Sequence, residues 1–183
     1  MITIDQIVTV IHRENPFLST SPRSGDHYRL LDGPEDFREA LINTAEGTRR
    51  SVSLYSPTLA HEVYDLTPLV DALSEVARRH RQAKVRVLIR DTRALVARGH
   101  GLIQLAQRLP SKVFIRVLTS DIETKAVAFM LSDRERLVYQ NDGDNYRGFE
   151  DERAAAQVKT LLGIFDRAWE TAREDPELRQ LAL

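Results

Sequence analysis

His61 stands beside Glu62 just after an apolar strand, and Asp91, Arg93, Arg98 and His100 crowd one short stretch further on. An imidazole can attack or relay a proton, a carboxylate can accept one, and guanidinium groups can hold an oxyanion. Asp133, Tyr139 and Arg147 add an acid, a phenol and another cation downstream. Each residue also has a plainer role open to it. His61 can be a surface histidine beside a helix start, while Arg98 and His100 can cap a helix and pair with Asp91 in a loop. The five histidines, at 12, 27, 61, 80 and 100, are dispersed, and none has a partner at metal-ligand spacing. No metal or cofactor is therefore expected. The chain contains no G-x-x-x-x-G-K-[ST], G-x-G-x-x-G, H-E-x-x-H or G-x-S-x-G pattern.

The candidates sit between recognisable elements. Ile4, Ile7, Val8 and Ile11 recur at helical spacing, which predicts a helix over residues 1–18. "STSPRSGD" reads as a linker over 19–26, leaving 27–183 as the main domain. "HYRLL" and "SVSLYS" read as strands around a helix over "DGPEDFREALINTAEG", capped by Asp32 or Gly33 and burying Phe37, Leu41 and Ile42. A second helix, "LTPLVDALSEVARRHRQ", precedes the alternating strand "KVRVLIRD", with Val85, Val87 and Ile89 on one face. "GHGLIQLAQRL" is a helix stopped by Pro110, and "KVFIRVL" is a further strand. A hairpin should turn at Ser132-Asp133-Arg134-Glu135. One long helix is expected over "FEDERAAAQVKTLLGIFDRAWETARE", burying Val158, Leu161, Leu162, Phe165 and Trp169. Strands alternating with helices and then closing in a hairpin predict an α/β, mixed α+β fold, with a central mixed sheet flanked by helices.

Composition narrows the function classes. The 183 residues carry a net charge of −1, which supplies no global attraction to nucleic acid or an anionic membrane. Without cysteine there can be no disulfide, thiolate metal site or cysteine nucleophile. The start "MITIDQIVTVIHREN" has acids inside its apolar run and does not fit a signal peptide, and no apolar run is long enough to span a bilayer. A cytoplasmic protein without membrane attachment is expected. Charge is nonetheless uneven: Arg78, Arg79, Arg81, Lys84, Arg86, Arg90, Arg93 and Arg98 face only Asp91 between them. These are either solvated helix ends and strand flanks or an anion-facing surface.

In "KAVAFMLSDRERLVY", Ala126 and Ala128 are weak strand formers at alternate positions of a strand otherwise built from Val, Phe, Met and Leu. The order strand–helix–strand–helix–strand–hairpin–long helix, with "IFDRAW" in the last helix, resembles one half of the phospholipase D superfamily. That family carries H-x-K-x-x-x-x-D on the first strand of such a hairpin. Setting its acid at Asp133 puts the His position at Ala126 and the Lys position at Ala128. Reading Glu123-Thr-Lys125 as a degenerate H-x-K leaves too many residues before Asp133, and no H-x-K occurs anywhere in the chain. The family's downstream G-S-x-N is also missing, with Asn141-Asp142-Gly143-Asp144 near its place. The resemblance covers roughly residues 27 to 173. It is strongest to uncharacterised phospholipase-D-like domains found alone or behind GNAT-type acetyltransferases in bacteria, through "VRVLIRDTR", "RGHGLIQLAQRL", "AFMLSDRERLVY" and "FDRAWE".

In active members, the resemblance implies, the His attacks phosphorus and the Lys stabilises the phosphoryl oxygens. Alanine can do neither. The expectation is a catalytically inactive phospholipase-D-like domain, working as a binding or regulatory protein and pairing as a homodimer. One alternative is a nucleic-acid or phosphate-ligand binder that keeps the ancestral cleft, with weak, salt-sensitive binding. Another is an enzyme of a different class using His61 or His100. The arginines from 78 to 98 decide about the first alternative: convergence on one face favours it and scatter counts against it.

Overall fold

The computed structural model describes residues 27–124 and 126–180. The predicted helix over 1–18, the linker over 19–26 and Lys125 lie outside the described residues. Seven strands form one mixed sheet: β1 (Tyr28–Asp32), β2 (Ser51–Tyr55), β3 (Lys84–Ile89), β4 (Val113–Val117), β5 (Ala128–Ser132), β6 (Arg136–Asp142) and β7 (Arg147–Asp151). Their order across the sheet is β1-β7-β6-β5-β2-β3-β4. β2, β3 and β4 are parallel, and all the other pairings are antiparallel. This is the expected mixed sheet flanked by helices.

Helices α1 (Pro34–Glu46), α2 (His61–Tyr64), α3 (Thr67–Arg79), α4 (Arg93–Arg98) and α5 (Gly101–Arg108) fall in the first half of the chain, and α6 (Ala155–Thr171) and α7 (Pro176–Gln180) close it. In α1, Pro34 takes the first turn and the Asp36 carboxylate accepts from the Asp32 backbone N–H at 2.9 Å. Alternation on the strands then divides the core in two. Val52, Leu54, Val85, Val87, Ile89, Met130 and Val138 meet α1 and α3 through Phe37, Leu41, Leu69, Leu73 and Val76. On the opposite face, Tyr55, Leu88, Phe129, Leu131, Tyr139 and Phe149 meet Val158, Leu161 and Phe165 of α6. Ile42, Leu162 and Trp169 are half-buried at the margins of these clusters.

One expected element is corrected. Residues 149–154 do not begin the last helix, because 147–151 form β7 between β1 and β6. Gly148 allows this: a Cβ there would lie 1.9 Å from the Tyr139 carbonyl oxygen, so only glycine permits the close strand approach. The hairpin turn lies where expected, with Asp133 at φ 49° and Arg134 at φ 72°, the mirror-image turn geometry that two-stranded hairpins favour. At the opposite side of the sheet, the backbone of Arg173 exchanges hydrogen bonds with Val117 at the end of β4. Among the described residues no helix is long and apolar enough to cross a membrane.

Candidate functional site

The parallel strands β2, β3 and β4 end together at Tyr55, Ile89 and Val117, and the loops that follow them are laced to one another. Ser56 N–H donates to the Leu88 carbonyl at 3.1 Å, and the N–H groups of Arg90 and Asp91 both donate to the Pro57 carbonyl at 2.9 Å. Such strand ends are where α/β sheets gather ligands. Here the charged side chains mostly satisfy each other. Arg93 folds back on Asp91, and its guanidinium and backbone N–H hold that carboxyl down at about 2. Arg90 donates to Asp121 at 2.5 Å.

The structure brings His61, Arg98 and His100 together. His61 opens α2 and donates from Nε2 to the Gly99 carbonyl at 2.8 Å, and its ring lies 5.1 Å from the ring of His100. His100 caps α5, its Nδ1 accepting from the Leu102 N–H at 3.1 Å. An Nδ1 that accepts must be unprotonated, so the ring is neutral with its proton on Nε2. Burial disfavours the imidazolium and pushes the His100 pKa below its ordinary value, outweighing Asp65, whose Oδ1 lies 3.8 Å from Nδ1. Nε2 itself finds no hydrogen-bond partner among the described residues; the Leu59 carbonyl favours the charged ring without reaching bonding geometry. Beside this pair runs a polar groove of about 430 Å³, whose walls include Asp65, Asp71, Arg98, Gln104 and Arg108. His100 does cap a helix, and Asp91 pairs with Arg93 and not with Arg98.

A neighbouring cluster went unseen in the sequence. Tyr146 donates its hydroxyl to Glu62 at 2.6 Å, and Arg38 donates from Nε to the Glu62 carbonyl at 2.6 Å. Burial and the Glu62 carboxylate raise the Tyr146 pKa well above the ordinary phenol range, and burial raises that of Tyr64 to about 12. Both phenols therefore stay protonated at neutral pH. Among the described residues no group of three or more His, Asp or Glu side chains is placed to hold a metal ion.

The remaining candidates separate. Ala126 and Ala128 do not form one strand face: β5 begins at Ala128, while Ala126 precedes it and packs in the α6-side cluster. Ala128 pairs with Gln140 and is buried. Tyr139 does not line the groove. It is 4 % exposed, paired in register with Phe129 and stacked on Phe149 at 5.2 Å. Arg147 stands on β7 with Asp32, 3.4 Å away. Asp133 is at the opposite end of the sheet. Its carboxylate accepts from the backbone N–H groups of Arg49, Arg50 and Ser51 at 2.5, 2.8 and 2.9 Å, tying the hairpin to the start of β2. The alternating reading of the strand was right about its pairing but could not show that the run 126–133 crosses the whole sheet from one end to the other.

The family described as a domain of unknown function, DUF7931, matches residues 33–181. No curated protein is similar in sequence to this chain. Among solved structures, TrmBL2, an archaeal chromatin protein described as showing a novel mode of DNA binding, is similar with a TM-score of 0.60 at 14% identity. That match covers 92% of this chain and 60% of TrmBL2. Nuc from Salmonella typhimurium, a phospholipase D family member, gives a TM-score of 0.55 at 14% identity, covering 81% of this chain and 98% of Nuc. NucT from Helicobacter pylori gives 0.53 at 12% identity, with coverage of 81% and 98%. These likenesses establish a phospholipase-D-like fold.

Proposed function

The chain belongs to the DUF7931 family, and we propose that it is a non-catalytic phospholipase-D-like domain that works by binding, as a regulatory protein of the cytoplasm. One observation carries the reading: the two positions that resemble the family's His and Lys are Ala126 and Ala128, both buried, at the end of the sheet where the parallel strands finish. Neither can attack phosphorus or hold an oxyanion. The acid that remains, Asp133, is engaged with three backbone N–H groups at the other end.

The test is hydrolysis of bis-p-nitrophenyl phosphate, phosphatidylcholine and DNA by the purified protein, with no turnover above background expected. Turnover lost on His61→Ala or His100→Ala would instead make the paired histidines the centre of a different enzyme. A chain with one copy of such a half site also suits a two-fold homodimer, the commonest closed assembly. Light scattering on the same preparation should give twice the chain mass, and a monomer at tens of micromolar, a rough working range for weak interfaces, would refute it. A second reading, nucleic-acid binding at the cleft, draws on the likeness to TrmBL2. It is weakened by the scatter of the arginines. Arg78 and Arg79 end α3 at one end of the sheet, whereas Arg90, Arg93 and Arg98 follow β3 at the other. Arg86, between them, is bound to Asp166 at 2.8 Å.

A further inference from the structure

The end of the sheet away from the groove, where β2, β3 and β4 begin, gathers cationic side chains from segments far apart in the chain. Arg49 and Arg50 lead into β2, Arg134 stands in the β5–β6 turn, and Arg78, Arg81 and Lys84 span the passage from α3 into β3. All six are exposed. Their proximity is fixed by the backbone. The Asp133 carboxylate binds the N–H groups of Arg49 and Arg50 beside the turn, and Lys84 N–H donates to the Arg50 carbonyl at 3.1 Å. Arg79 reaches from α3 to the Thr48 carbonyl at 2.5 Å, and Lys112 Nζ closes the far side on the His80 carbonyl at 3.0 Å. Beneath them a buried hydroxyl pair, Thr48 and Ser132, 2.6 Å apart, joins the β2 entry to the hairpin.

None of the six side chains has an ion-pair or hydrogen-bond partner among the described residues. The carboxylates at this end form no ion pair with the six: Asp133 is engaged with the backbone, Glu75 faces Arg79 at 4.0 Å, and Glu46, Glu135, Asp151 and Glu152 meet none of them among the described residues. The α3 dipole accounts for cations at Arg78 and Arg79, but not for Arg49, Arg50, Arg81, Lys84 and Arg134. A chain of net charge −1 thus concentrates unpaired positive charge on one rigid edge.

We propose that this edge is a docking surface for the backbone phosphates of a nucleic-acid double helix. Arginine predominates, and its planar guanidinium suits bidentate phosphate contacts. The segments 49–51, 78–84 and 134–136 hold no Phe, Tyr or Trp, so they offer no platform for stacking unpaired bases. From the β5 turn across β2 and β3 to β4 is three strand spacings, about 14 Å. At 3.4 Å of rise per phosphate on one strand, that width meets about four phosphates. Among the described residues the six cations stand on a helix end, strand entries and a tight turn, with no helix of their own to enter a groove, so the expected binding is sequence-independent. The surface shares no residue with the groove and stands whether or not the cleft proves inert.

The test is fluorescence anisotropy with a labelled 24-base-pair DNA duplex and a matched RNA duplex, from 50 to 200 mM salt. Four phosphate contacts predict that affinity falls on the order of 100-fold across that range. Arg49→Gln/Arg50→Gln/Arg134→Gln should weaken binding about tenfold or more and lower the log–log salt slope by roughly three. Arg78→Gln/Arg81→Gln, which touches no hydrogen bond of the fold, should do the same in smaller measure, so misfolding cannot mimic the result. Arg93→Ala/Arg98→Ala should leave binding unchanged. Absence of duplex binding at 50 mM salt would overturn the proposal, as would loss of binding only in the Arg93/Arg98 variant. Equal binding of polyglutamate or of phosphatidylserine vesicles would overturn the duplex assignment.

Discussion

At the end where the parallel strands finish, Arg90, Arg93 and Arg147 each meet a carboxylate, on Asp121, Asp91 and Asp32, while Arg98 meets none among the described residues. At the end where they begin, Arg49, Arg50, Arg78, Arg81, Arg134 and Lys84 meet none among the described residues. Both ends are rich in arginine, and they differ in what the backbone asks of the acids nearby. In the first, carboxylates stand in loops where a guanidinium can reach them. In the second, the best-placed carboxylate, Asp133, is occupied by three N–H groups and has little left for side chains. Charge that is neutralised locally makes a quiet surface, and charge that is held together without neutralisation projects a field into solvent. A stretch of sequence counted for arginines cannot distinguish the two.

The sharpest way to break the contrast is to remove its organiser. Asp133→Ala leaves three backbone N–H groups without an acceptor and puts alanine at positive φ. A loss of about 3 kcal/mol is expected, or a melting point lower by roughly 10 °C. Asp133→Asn, which tolerates that φ but offers a single carbonyl oxygen, should fall between it and the parent. Urea and thermal melts decide. An unchanged midpoint for Asp133→Ala would mean that the edge is held by something other than this carboxylate.

The groove end should respond to pH. The His100 pKa is lowered in the folded state by burial, so the unfolded chain takes up a proton first as pH falls below about 6.5, the ordinary imidazole value. The His100 contribution to stability is therefore present above that pH and is lost as pH falls toward the folded value. For one proton the slope is at most about 1.4 kcal/mol per pH unit. His61 and Asp65 face the same ring, and the comparison must keep them. His100→Asn retains a capping side chain and should show a flatter stability profile between pH 7.5 and 5.5. A profile parallel to that of the parent would remove His100 as its source. The smallest expected effect is that of Arg93→Ala. The pair it breaks is solvent-exposed and local, so neither the melting point nor duplex binding should move measurably.

The layered architecture was legible because it rests on local patterns: alternation in "KVRVLIRD", the Pro34 and Pro68 starts, and the apolar stripe of α6. β7 was not, since "RGFED" is too short and too polar to announce a strand, and its place depends on the contact of Gly148 with Tyr139. The histidine groove was half legible. His61 and His100 stood out by type, but only the sheet sets them 5.1 Å apart. The cationic edge was half legible: Arg78, Arg81 and Lys84 stood out in a basic run, but residues 49 and 134 become their neighbours only through the hairpin turn. The aspartate that joins them looked like the remnant of a catalytic motif.

The bridge between Val117 and Arg173 has a bearing on how copies of this chain meet. β4 is the last strand on its side of the sheet, and a bare outer strand invites a strand from another molecule to extend it. With Arg173 already hydrogen-bonded to Val117 through both backbone groups, the invitation is withdrawn at the end of β4. Association of two copies through this end of β4 must then use side chains and helix faces, and a chain shortened before Ala172 is expected to leave Val117 open to strand pairing.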